Sequence, residues 1–255
     1  VLINLALLHK SQGDLTEAFK AIEVAGKLAQ QLFEADSLVR GALDCALAGL
    51  YLDKLQYDKA NELVPGMLQI CEKHQIKQGP LLVMAKHCQA TNALYYRATA
   101  ADKQKLTGVA RQQAIDKNIA FAEVLWREIQ AMQEKEKQPA QVARTLNYLG
   151  TAAEVRKDYP AATQLYLKAN TLQADNPRTH PTSRFITLWR LGEMAVIQGD
   201  TKKAQDYLLQ AVDIAEKARL RTFGDASQRT AFFAQFEPAF DRLIELAVND
   251  NRIDD

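Results

Sequence analysis

A chain of 255 residues, 47% hydrophobic and 25% charged, with eleven Gly and seven Pro, is neither a disordered nor a fibrous protein. Its 32 basic and 31 acidic residues leave a formal net charge of +1, and no basic stripe of the kind a nucleic-acid binder carries is present. No apolar run reaches membrane-span length, so neither nucleic acid nor membrane is expected as a partner.

In chain order, the first element is the apolar run Val1-Leu2-Ile3-Asn4-Leu5-Ala6-Leu7-Leu8. It lacks the basic segment and cleavage site of a signal peptide, and it falls in the register of a repeat. The expectation is a fragment that begins within a repeat unit. Leu5-Ala6 leads to Gly13-Asp14, Ala18, Ile22 and Ala25; Leu47-Ala48 leads to Tyr57-Asp58, Ala60, Val64 and Met67. The same grammar returns in the second half. Leu149-Gly150 precedes Asp158-Tyr159, Ala162, Tyr166 and Ala169, and Leu191-Gly192 precedes Gly199-Asp200, Ala204, Leu208 and Ala211. Both pairs of copies stand 42 positions apart (6 to 48, 150 to 192), and in all four the small residue lies 12 before the first Ala of the second helix (6 to 18, 48 to 60, 150 to 162, 192 to 204).

The spacing predicts antiparallel helix pairs joined by tight turns. Gly or Ala at 6, 48, 150 and 192 lets the second helix approach closely, and Tyr166 and Leu208 fill the space between neighbours. Gly ends one helix and Asp caps the next, and Asp14 with Glu17 has capping-box spacing. Pro160 is tolerable in the first turn of its helix. Residues 79 to 138 fit the pattern as longer, irregular units: Leu81 to Ala98 as one helix, Thr99–Gly108 as a polar connection, and Ala110 to Glu136 as a long partner helix. The sign-alternating Glu134-Lys135-Glu136-Lys137 reads as a solvated helix end. From Ala226 to Asn249 a last helical segment carries Phe232, Phe236, Phe240 and Leu243 on one stripe, with Pro238 expected to kink or split it.

This pattern resembles the tetratricopeptide (TPR) repeat family over most of the chain. At 42 residues the unit is similar to the long-repeat TPR variants of kinesin light chains and of bacterial peptide-sensing regulators. The resemblance implies an all-α, antiparallel helix-pair TPR solenoid, a right-handed superhelix that binds a protein or peptide in its concave groove. Residues 1–225 are expected to form the array, and 226–255 a helical cap or a junction to a further domain.

The resemblance places groove positions at Cys45, Gly49 and Leu52; at Arg144, Asn147, Thr151 and Glu154; and at Ile186, Trp189, Glu193 and Val196. Thr145-Leu146-Asn147-Tyr148-Leu149-Gly150 looks like the first-helix motif of the long-repeat relatives, whose matching Asn holds a bound peptide's main chain; an ordinary exposed polar residue is the alternative. Trp189 is either a groove aromatic that anchors a partner or a packing residue between helices. Cys45, Asn147 and Trp189 stand where the lysine of a chaperone-tail clamp would be, which argues against that class of adaptor.

Catalysis, a metal and a cofactor are all unexpected. His87 and Cys88 are adjacent, so a helix turns them about 100° apart. Cys71 and His74 share a face, but no second pair completes a zinc site. There is no Gly-rich phosphate loop. Cys45, Cys71 and Cys88, odd in number and set in apolar helical stretches, predict free buried thiols in a reducing, cytoplasmic setting.

The tail supplies a second resemblance. Ala218-Arg219-Leu220-Arg221-Thr222-Phe223, then Arg229, Phe232, Phe233 and Phe240-Asp241-Arg242-Leu243-Ile244-Glu245-Leu246-Ala247, looks like the segment joining TPR arrays to CHAT, a caspase-like protease domain of bacteria. It implies that this chain is the sensor and scaffold half of such a protease, with the catalytic His and Cys outside it. A pure assembly scaffold and a peptide-responsive transcriptional regulator are the alternatives.

Overall fold

The computed structural model describes residues 1–174, 176, 179–219 and 233–249. Among them every regular element is helical. The chain forms two compact units, Val1–Met132 and Gln133–Asp255.

The first unit holds α1 (Leu2–Ser11), α2 (Leu15–Leu32), α3 (Leu38–Asp53), α4 (Tyr57–Glu62), α5 (Val64–Lys73), α6 (Pro80–Tyr95), α7 (Arg97–Lys103) and α8 (Gly108–Lys135), whose last residues belong to the second unit. The second unit continues with α9 (Pro139–Val155), α10 (Tyr159–Ala174), α11 (Pro181–Ile197), α12 (Thr201–Arg219), a 3-10 turn (Ala234–Phe236) and α13 (Glu237–Asn249). α1 and α2, α9 and α10, and α11 and α12 fold back on one another as antiparallel pairs.

What brings the helices of a pair together is the small-residue spacing. Ala6, Ala48, Ala18, Ala60, Ala162 and Ala204 are all essentially inaccessible. A methyl group on Gly150 would lie 2.5 Å from Tyr166 Cε1, and one on Gly192 would lie 2.7 Å from Leu208 Cγ. The residue 16 positions on (150 to 166, 192 to 208, 6 to 22, 48 to 64) is thus large where the first helix offers Gly. Where it offers Ala, the residue is the β-branched Ile22 or Val64, buried in the same core as that Ala. At Gly150 and Gly192 the pairing is one of matched volumes, as close-packed interiors require.

Seven helix ends among the described residues share one construction. At Gly13, Leu55, Gln75, Lys105, Lys137, Lys157 and Gly199 the backbone is left-handed, with φ between 52° and 83°. At each, the residue's own N–H bonds the carbonyl three back, and the next N–H bonds the carbonyl five back, as in Lys157 N to Glu154 O (2.8 Å) and Asp158 N to Ala153 O (2.9 Å). That double bond is the Schellman helix stop. The following helix is capped where expected: Asp14, Asp158 and Asp200 accept from the N–H three residues on, at 3.0 to 3.1 Å.

Two local expectations change and one holds. Thr99–Gly108 is not simply a polar connection: Arg97–Lys103 is helical and buries Ala101, because Ala-Thr-Ala-Ala continues a helix until the stop at Lys105. The helix opposite α3 is divided at Leu63, since Pro65 has no N–H to give the carbonyl of Asn61. Pro238 splits the last segment as expected: a 3-10 turn ends at Phe236 and α13 begins at Glu237, with the ring in its first turn. Of the aromatic stripe, Phe236 is buried edge-on to Phe185 (4.7 Å, 89°), and Phe240 and Leu243 pack against the same core; Phe232 lies outside the described residues.

Candidate peptide-binding face

The groove positions of the second unit stand on α9 and α11, whose inner faces bury Leu146, Leu149, Leu188 and Leu191. Asn147 is 7% exposed. Its carboxamide faces the buried Thr187 hydroxyl of α11, donating through Nδ2 at 2.8 Å, and Thr187 also lies 3.0 Å from the Ser183 carbonyl. Asn147 is therefore a bridge between two hairpins, and not the exposed polar residue that was the alternative to a groove role. One turn further, Thr151 donates to the Asn147 carbonyl (3.1 Å) and its hydroxyl is 3.3 Å from that of Tyr166.

Glu154 is held twice. The Tyr166 hydroxyl donates to Oε1, and Arg190 donates to Oε2 at 3.2 Å. Burial, reinforced by that neighbouring carboxylate, pushes the Tyr166 phenol well above its ordinary range, so it stays a donor. Glu193 takes a two-pronged bond from Arg242 of α13, 2.8 Å at each oxygen. Arg144 is exposed and lies against Tyr148, its guanidinium 6.0 Å from the ring centre.

Trp189 packs partly against the core of α11, α12 and α13, and the Arg190 guanidinium covers its ring at 4.3 Å. Its indole N–H is buried with no acceptor among the described residues. Ile186 is exposed and Val196 half-buried. In the first unit the corresponding positions are taken up internally: Leu52 is buried, Lys10 donates to the Gly49 carbonyl (3.0 Å) and pairs with Asp53 (2.9 Å), and the Cys45 thiol faces the Pro80 carbonyl.

Of the eight second-unit positions, Asn147, Thr151, Glu154 and Glu193 are bonded to other helices, through partners that the sequence reading did not give a groove role: Thr187, Tyr166, Arg190 and Arg242. One signal for the first was present. Thr recurs at 145 and 187, inside otherwise apolar helix faces, and both are buried and bonded, Thr145 to Gln133 at 2.8 Å.

Elsewhere, His87 Nδ1 accepts from Trp126 (3.1 Å) and His74 donates to the Asp36 carbonyl (3.0 Å). Cys71 and Cys88 are buried, and all three cysteines are free. Among the described residues no group of three His, Cys, Asp or Glu is placed to hold a metal, and no helix is long and apolar enough to cross a membrane.

No family model matches this chain, and no curated protein matches it. Solved structures do. A putative kinesin light chain of Podosopora anserina with nearly identical TPR-like repeats is similar in a point-variant form (22% identity, TM-score 0.52, covering 86% of this chain and 94% of that one). A second structure of that protein gives 22% and 0.50, over 85% and 94%. BtubC (BKLC) of P. vanneervenii gives 21% and 0.55, over 87% and 80%. The fold is a TPR-like solenoid of antiparallel helix pairs. At such identities the likeness establishes the TPR-like architecture and carries no partner with it.

Proposed function

We propose that this TPR-like chain is a scaffold that holds another polypeptide on the face shared by α9 and α11. The observation that carries the reading is the indole N–H of Trp189 on α11, buried with no acceptor among the described residues. A buried donor left unpaired costs about 1–3 kcal/mol, and a main-chain carbonyl admitted by a shift of the Arg190 guanidinium that covers the ring would offset it. Arg144 of α9, lying against Tyr148, offers an exposed guanidinium to the same ligand. Asn147 has a second duty in this reading: it releases Thr187 or shares its remaining lone pairs when a peptide docks.

The test is a displayed peptide library selected on the purified protein. Trp126 is fully buried, so a Trp126→Phe background leaves Trp189 as the reporting indole. A selected peptide is expected to shift Trp189 fluorescence saturably. Trp189→Phe, which keeps the ring and loses the N–H, is expected to weaken binding about tenfold, read by calorimetry. Peptides that bind the Asn147→Ala and Trp189→Ala forms as tightly as the parent would move the function to another face and favour a pure assembly scaffold.

The finer readings belong to the same proposal. The starts of α9 and α11 at Pro139 and Pro181, and of α10 and α12 at Tyr159 and Thr201, support the long 42-residue unit (139 to 181, 159 to 201). The Arg242–Glu193 bond supports 226–255 as a cap or junction on the array 1–225. The role as the sensing half of a bacterial, cytoplasmic TPR–CHAT protease rests on the sequence of 218–247, of which 220–232 lie outside the described residues. Reading the parent gene in both directions tests it: a downstream caspase-like His and Cys pair supports that role, and an upstream helix-turn-helix with no such pair favours a peptide-responsive regulator.

A further inference from the structure

A cleft of about 310 Å³ in the first unit is lined largely by carboxamides. Asn61 of α4, Gln89 and Asn92 of α6, and Asn118 of α8 turn into it, with the rings of Tyr96 and Phe121 beside them. Four of its eight lining residues are carboxamides and none is charged, so an ionic ligand finds no counter-charge there. All four carboxamides are half-buried, and none bonds to another described group. The Tyr96 ring is held by its hydroxyl, 3.4 Å from Asp58, and by an edge-on contact with Tyr57 at 6.2 Å; Phe121 is 48% exposed at the rim.

We propose that this cleft binds an extended stretch of uncharged polypeptide main chain, with an apolar side chain against Phe121 and Tyr96. A carboxamide is the same functional group as a peptide unit: two N–H donors and a carbonyl with two lone pairs, planar and neutral. Each can exchange a donor–acceptor pair with a main-chain amide as neighbouring β-strands do. Residues so far apart in sequence (61, 89, 92, 118) come to one cleft only through the fold, and their half-buried carboxamides keep donors and acceptors open to a ligand that takes the place of water. The volume is at the small end of ligand clefts, matching two or three peptide units rather than a long segment. Asn61, Gln89, Asn92 and Asn118 are not among the groove positions on α9 and α11, and this site stands or falls independently of that reading.

The experiment is a titration of the whole 15N-labelled protein with N-acetyl-L-phenylalanine N-methylamide, a neutral probe with two peptide units and one ring. Saturable shifts of the side-chain NH₂ signals of Asn61, Gln89, Asn92 and Asn118 are expected. In Asn92→Leu/Asn118→Leu, which exchanges two weak helix formers for a strong one, affinity is expected to fall about tenfold. If the double variant does not fold, Asn118→Leu alone is titrated, with a smaller weakening expected. Linear, unsaturated shifts in the parent, or affinity unchanged in the variant, would overturn the proposal. So would saturation by methyl β-D-glucoside and not by the peptide probe, which would make the cleft a sugar site.

Discussion

Gly150 faces the ring of Tyr166 so closely that a methyl group on the glycine would overlap it, at 2.5 Å from Cε1 and 2.6 Å from Cζ. The hydroxyl of the same ring reaches past the glycine to Thr151 and Glu154. One small residue thus admits both the packing of the hairpin and the polar bonds on its far side.

The matched volumes are testable at the Gly192–Leu208 pair, where no hydroxyl complicates the result. Gly192→Ala brings a methyl to 2.7 Å from Leu208 Cγ. Overpacking costs about 1–3 kcal/mol, offset by about 0.5–1 kcal/mol of helix propensity. Adding Leu208→Val recreates the Ala48/Val64 combination found elsewhere in the chain. The double variant is expected to melt above the Gly192→Ala single variant, with a favourable coupling of about 1 kcal/mol in a double-mutant cycle. Independent, additive losses would show that the pair is not volume-matched.

Asn147 is a structural bridge before it is anything else. Asn147→Ala is expected to cost about 1–3 kcal/mol of stability in urea unfolding, because the Thr187 hydroxyl loses the carboxamide that donates to it. Thr187→Val removes the other side of the bridge, and the two changes together are expected to cost about 1 kcal/mol less than their sum. A change within about 0.5 kcal/mol for Asn147→Ala would mark it as a residue held for a ligand alone.

The thiols make a prediction about alkali. Burial pushes Cys88 up to about 12, and burial together with the Asp44 charge and the other two thiols does the same for Cys45. At pH about 8 both are protonated and poor nucleophiles, so iodoacetamide is expected to modify them in the folded protein far more slowly than in denaturant, by mass spectrometry. The folded chain keeps protons that the unfolded chain releases above the ordinary thiol value of 9.0. Stability from these groups is complete below that value and declines as pH rises from about 9 towards 12. Cys88→Ala is expected to shallow that decline in thermal melts, whatever its effect on the starting stability.

The helix pairs were legible because close approach demands small residues at fixed spacing, and only a few residue types satisfy it. The turns were half legible. Gly13 and Gly199 announce them, but Leu55, Gln75, Lys105, Lys137 and Lys157 take the same left-handed backbone under the pull of two hydrogen bonds each, against their own preference. The division at Leu63 and the short helix Arg97–Lys103 depend on one proline and a few alanines, within the reach of local reasoning but not of the repeat pattern. The candidate face was legible as a set of positions and not as a network. Asn147 and Glu193 find their partners 40 and 49 residues away, distances that depend on how the helices of the second unit stack. The amide cleft has no sequence signature at all, since its members share no motif.

On the α9–α11 face, Glu154 and Glu193 are already matched by Arg190 and Arg242 of the same chain. Such a face casts little long-range field, and the whole molecule, at +1, adds almost none. Encounter with a partner is then governed by diffusion and orientation, with association rates of about 10⁵–10⁶ M⁻¹s⁻¹. Those rates should stay nearly flat as ionic strength rises, and discrimination between partners falls to dissociation, where shape and buried donors decide how long a complex lasts.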